Sequence, residues 1–127
     1  MFAEQQQLDA IVARLGPQAR VHTLTHISYQ RQQLPIDCIS LGSEQADVPV
    51  IAYFGGIHGL EKIGSEVLLA YLHTLSQLLQ WDAEFHDRLQ RLRLLFVPIV
   101  NPVGVWRGTR CNGNGVDLMR NAPIEAN

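Results

Sequence analysis

Apolar residues recur along this chain with two different periods. Phe2, Leu8, Ile11, Val12 and Leu15 fall at roughly helical spacing and stop at Gly16-Pro17, which predicts a short amphipathic helix over 2–15. Residues 20–29 set Val21, Leu24 and Ile27 among polar neighbours, and 34–41 alternate through Leu34, Ile36 and Cys38. Both stretches read as strands, paired as a hairpin or lying side by side in one sheet. After the polar loop 42–47, residues 48–54 form a nearly continuous run of β-forming apolar residues, the pattern of a central strand buried on both faces. Gly55-Gly56 ends it. From Glu61 to Leu79, Ile63, Val67, Leu68, Tyr71, Leu72, Leu75, Leu78 and Leu79 recur at intervals of three and four, predicting a long helix packed on the sheet. A second helical patch covers 83–90, and a further apolar strand covers 92–100, closed by Asn101-Pro102.

Strand, helix and strand in that order make a crossover unit, which is normally parallel and right-handed. The fold class expected is therefore α/β, a mixed and largely parallel sheet flanked by helices. In such sheets ligands gather at the carboxyl edges of the strands, so loops 55–61 and 101–121 should meet in space. The stretch 101–127 is rich in Gly, Asn, Pro and Arg and reads as one long loop, either functional or part of an unfinished domain.

With 46% hydrophobic and 17% charged residues in 127, the chain has the composition of one globular domain rather than a disordered one. Ten basic residues against twelve acidic ones, without a basic stripe, argue against nucleic acid as partner. No apolar stretch is long enough to span a membrane, and residues 1–15 do not read as a signal peptide. Cys38 and Cys111 stand too far apart for a metal-binding pair and read as reduced thiols, which places the protein in the cytoplasm as an expectation.

The chemistry concentrates in two segments. His58 and Glu61 lie three apart where a strand turns into a helix, so one helical turn can aim an imidazole and a carboxylate at one point. Zinc in hydrolytic sites is held by such donors, with a further position left for water. The flanking Gly55, Gly56 and Gly59 suit a turn that needs unusual backbone angles. By itself the pair is also compatible with a helix-dipole carboxylate and an ordinary hydrogen-bonded histidine. The second segment runs Asn101-Pro102-Val103-Gly104, Trp106-Arg107, then Gly115-Val116-Asp117-Leu118-Met119-Arg120-Asn121.

Taken with Gly56-Ile57-His58-Gly59-Leu60-Glu61, these stretches resemble the zinc metallocarboxypeptidases, whose pattern runs HxxE, NPDG, an Arg and GVDLNRN. The resemblance spans 48–121 and implies an N-terminal part of a single zinc-peptidase-like domain over 1–127. It implies that His58 and Glu61 are the first two ligands of one zinc ion and that Asp117 accepts the other ring N–H of His58. It further implies that Arg107 stabilises the oxyanion, and that Arg120, with Asn121 beside it, binds the substrate carboxylate. Each has a plainer alternative: Asp117 as a turn cap, Arg107 as a solvated loop residue, Arg120 as a surface ion pair.

Two positions depart from the pattern. Val103 stands where the family has Asp, and Met119 stands where it has an Asn beside the carboxylate-binding Arg, which removes a hydrogen-bond donor. The third zinc ligand, a His, and the general base, a Glu, are also missing. Beyond Asn121 the chain offers Glu125 and no His, and His22, His26, His73 and His86 fall outside the motif loops. The expectation is a zinc-dependent hydrolase cleaving a peptide or an acylated amino acid in its longer form, inactive as this stretch alone and prone to self-association through an exposed sheet edge. The alternatives are an amino-acid deacylase or amidohydrolase, and a noncatalytic carboxylate-binding or assembly module.

Overall fold

The computed structural model describes residues 1–123. Its elements are α1 (Ala3–Leu15), β1 (Ala19–Tyr29), β2 (Gln32–Gly42), β3 (Val50–Phe54), α2 (Ile63–Trp81), α3 (Ala83–Leu89), β4 (Arg93–Val97) and α4 (Pro102–Arg107). The four strands form one mixed sheet in the order β1-β2-β4-β3. β1 and β2 make an antiparallel hairpin, β2 and β4 are antiparallel, and β3 runs parallel to β4 through the α2 crossover. The sheet is thus mixed, with one parallel pairing among three rather than a parallel majority.

Pairing register explains the core. Ile39 sits opposite Phe96 and Leu41 opposite Leu94, so these four point to one face of the sheet. Leu8, Ile11 and Leu15 of α1 and Leu68, Leu69, Leu72, Leu75 and Leu79 of α2 join them in a single buried cluster. Tyr53, opposite Phe96 in β3, stacks on it at 5.0 Å, and Tyr71 meets both rings edge-on at 5.6 Å. At the other end Trp106 of α4 packs between Phe2 and Tyr29, tying the amino terminus and the hairpin to the helix that follows β4. Among the described residues no helix is long and apolar enough to cross a membrane.

β3 departs from the sequence expectation. Its apolar run predicts a strand buried on both faces, yet Val50, Ile51 and Phe54 are exposed. The reason is position: β3 is an edge strand with β4 as its one neighbour, and its Val50 and Phe54 face has no covering layer among the described residues. Ile63, Val67 and Tyr71, at successive four-residue steps on α2, are exposed as well.

The long loop after β4 also has more order than its composition predicts. Pro102–Arg107 is helical because Asn101 caps it, its side chain accepting the Gly104 N–H at 2.9 Å, while Pro102 occupies the first turn, where its missing N–H costs nothing. Gly108 ends the helix in the left-handed conformation at φ 65°.

Candidate metal centre

Two chain segments at the carboxyl ends of β3 and β4 are locked together by backbone. The Gly55 N–H donates to Val97 O at 2.9 Å, the Val100 N–H to Gly55 O at 2.9 Å and the Asn101 N–H to Gly56 O at 2.9 Å. Further along, the Leu60 N–H donates to Thr109 O at 3.1 Å. The approach is so close that a Cβ on Gly59 would sit 1.8 Å from the carbonyl of Gly104. Gly56 adopts φ +66°, and a side chain there would strike Ser65 Oγ. The two loops expected to meet therefore do meet, and glycine is what permits it.

Asn101 is the clamp between them. It is 2% exposed, and besides capping α4 its Nδ2 donates to Ile57 O at 3.0 Å, on the residue before His58. Asn101→Ala removes a cap, worth about 0.5–2 kcal/mol, and leaves the Ile57 carbonyl without its partner, at about 1–3 kcal/mol. The expected result is a loss of about 2–3 kcal/mol in urea unfolding. A loss below about 0.5 kcal/mol, the range of ordinary surface substitutions, would remove Asn101 from this role.

His58, Glu61 and Asp117 come together on this clamp. His58 Nε2 lies 3.0 Å from Asp117 Oδ1, both side chains being largely buried. Asp117 is held well below the usual carboxylate range, first by the Arg110 side chain and then by His58 and the Arg120 backbone N–H. It is therefore ionised at neutral pH and can only accept, so the Nε2–H of His58 donates to it and Nδ1 is the ring nitrogen left to face Glu61. Nδ1 faces Glu61 Oε2 at 3.9 Å. That separation is too long for a hydrogen bond, yet two donor bonds of about 2.1 Å span it, the length zinc makes to His and carboxylate. The donor pair fits zinc. No group of three or more His, Cys, Asp and Glu side chains suited to a metal is present among the described residues, so two protein donors are what this region supplies.

Asp117 organises the rest of the loop. Arg110 Nε donates to its Oδ2 at 2.7 Å, and the Met119 and Arg120 backbone N–H groups donate to Oδ1 at 3.1 and 3.3 Å. Arg110 also approaches Glu61 Oε1 at 3.6 Å, so its guanidinium lies between the Asp117 and Glu61 carboxylates. Arg110 is the residue that sequence reasoning missed. Arg107, given the oxyanion role by resemblance, ends α4 exposed, its side chain without a hydrogen bond or ion pair among the described residues. The left-handed turn at Gly108 reverses the chain after it, and Arg110 rather than Arg107 returns to Asp117. Arg120 is 82% exposed, with Nε 3.6 Å from Asp117 Oδ2, and Asn121 is exposed, its backbone N–H donating to Asp117 O at 3.1 Å. Glu125 lies outside the described residues.

Lys62 secures the turn from the other side. Its ammonium meets the buried Glu4 carboxylate of α1 at 2.8 Å, one residue beyond Glu61.

Comparison with known proteins gives a consistent set of likenesses. A family profile described as zinc carboxypeptidase matches residues 5–126. Carboxypeptidase E of Caenorhabditis elegans is 27% identical over 140 aligned positions, covering 96% of this chain and 30% of that protein. Carboxypeptidase D of Anas platyrhynchos is 35% identical over 91 positions, covering 65% of this chain and 7% of that one. The crystal structure of a metallo-carboxypeptidase from Burkholderia cenocepacia superposes with a TM-score of 0.74 over 94% of this chain and 32% of its own, at 22% identity, a likeness of fold. The chain thus spans less than a third of the length of these two curated relatives.

Proposed function

This chain belongs to the zinc carboxypeptidase family, and from that premise we propose that His58 and Glu61 supply two protein ligands of a zinc site for hydrolysis of a peptide or amide bond. The observation that carries the reading is the imidazole held by Asp117 at Nε2 with Nδ1 turned toward the Glu61 carboxylate at 3.9 Å. Zinc, when bound, supplies a Lewis acid for a carbonyl oxygen and lowers the pKa of water.

The chain's own residues prepare that chemistry. His58 offers a neutral nitrogen whose tautomer and direction are fixed by Asp117, which raises its basicity as a ligand. Arg110 keeps a cation beside the site, braced by Asp117 and Glu61, where negative charge develops on a carbonyl oxygen under attack. In this reading Arg110 joins Arg107, to which the resemblance gives the oxyanion role, in supplying positive charge to the site. The third ligand and the general base belong, in this reading, to further polypeptide of a longer protein, which would also cover the apolar surface of β3 and α2. Without that polypeptide the same surface is expected to pair chain with chain.

By itself the 127-residue chain is expected to bind zinc without measurable hydrolysis of an N-blocked dipeptide that ends in a free carboxylate. A longer polypeptide from the same reading frame that adds a His ligand and a Glu base is expected to hydrolyse it, with loss of activity in Arg110→Gln. Chelator-sensitive turnover by the 127-residue chain alone would show that the site is complete within it, and activity unaffected by Arg110→Gln would return the charge-stabilising role to another group.

A further inference from the structure

Lys62 is the single lysine of the chain, and it directly follows Glu61. The two neighbours point to different sides of the turn. Glu61 carries its carboxylate toward His58 and Arg110, at 3.9 and 3.6 Å, whereas the Lys62 ammonium meets Glu4 Oε1 of α1 at 2.8 Å. The Glu4 side chain is 11% exposed while that of Lys62 keeps 41%, so the anion is built into the fold and the cation comes to it. Glu4 is also fixed from behind. It stands in the first turn of α1, where the helix dipole favours an anion, and that turn starts from Phe2, buried and stacked on Trp106 of α4 at 6.3 Å. A buried carboxylate paired with one cation is a poor source of stability, because desolvation of the charges offsets their attraction. What the pair does supply is a defined place for a positive charge that otherwise swings on a flexible four-carbon stem beside Glu61.

We propose that Glu4 is a positioning residue for the zinc site: by holding the Lys62 ammonium on the α1 side of the turn, it keeps that cation off the Glu61 carboxylate and away from the metal. The inference rests on the zinc reading above and adds to it a residue of the first helix. Released from Glu4, the ammonium competes with zinc for Glu61, the anion next to it in the chain, and repels a dication at short range.

Two comparisons test this, one with zinc and one without. In chelator competition Glu4→Gln is expected to weaken zinc binding about three- to tenfold, the scale of a unit charge acting on a dication near water. Glu4→Gln combined with Lys62→Met is expected to regain most of that loss, because the cation has gone. A purely structural role for the Glu4 to Lys62 contact predicts the opposite, since the double variant lacks both partners. The metal-free comparison uses lysine labelled with carbon-13 at Cε, which reports Lys62 alone. With Glu4 present, Glu61→Gln is expected to leave the Lys62 resonance in place; in the Glu4→Gln background the same substitution is expected to move it. A double variant that binds zinc no more tightly than Glu4→Gln overturns the proposal, as does a Lys62 resonance indifferent to residue 61 in both backgrounds. Because the second comparison needs no metal, its failure is separate from failure of the zinc site, which is read from zinc binding by the unmodified chain.

Discussion

His58→Ala is expected to abolish specific zinc binding by this chain, weakening it by more than the about 10–100-fold that loss of an outer partner costs a metal site. The argument is one of donor count. Two protein donors converge, His58 Nδ1 and Glu61 Oε2 across 3.9 Å, and removing one leaves a single exposed carboxylate. Asp117→Asn supplies the graded comparison. The amide still places an oxygen near Nε2, but the charge that fixes the tautomer and holds Arg110 is gone, so affinity should fall about 10–100-fold without vanishing. Competition against a chromophoric chelator orders the three proteins. Equal affinity for wild type and His58→Ala would mean that zinc sits elsewhere, and equal affinity for wild type and Asp117→Asn would strip Asp117 of its orienting part.

Gly59→Ala should be the most damaging single methyl in the protein. The added carbon would overlap the Gly104 carbonyl at 1.8 Å and the Val105 nitrogen at 2.2 Å, all backbone atoms that no rotamer change can move. Overpacking of flexible side chains costs about 1–3 kcal/mol, and here the relief requires prising the His58 loop from α4, so a loss above about 3 kcal/mol or failure to fold is expected. Gly64→Ala, five residues on in the first turn of α2, is the control. Its nearest neighbour would be at 3.5 Å, and alanine favours the helix, so stability should stay within about 1 kcal/mol of wild type. Similar denaturation midpoints for the two variants would contradict the close packing of the two loops.

These contacts also show what could be read from the residues alone. The α2 periodicity and the β3, α2, β4 crossover were legible because each rests on local spacing, and so was the meeting of loops 55–61 and 101–121, which follows from parallel strand direction. The exposure of β3 was not. A run of apolar residues reports that a surface seeks cover, and says nothing of whether these 123 residues provide it. The α4 helix has six residues, too few for a period to show, although Asn101-Pro102 is itself a cap followed by a first-turn proline and marks the start. Arg110 was hidden because its approach to Asp117 depends on the reversal at Gly108 and on Asn112, whose Oδ1 accepts the Asn114 and Val116 N–H groups. The Glu4 to Lys62 contact joins residues 58 apart and has no local signature at all.

The measurement that bears most directly on the central claim is X-ray absorption at the zinc edge of the stoichiometrically loaded chain. The geometry predicts a shell of nitrogen and oxygen at about 2.0–2.1 Å with the outer scattering of one imidazole, and loss of that imidazole signal in His58→Ala. A sulfur shell at about 2.3 Å, supplied by Cys38 or Cys111, or an imidazole signal unchanged in His58→Ala, would contradict it.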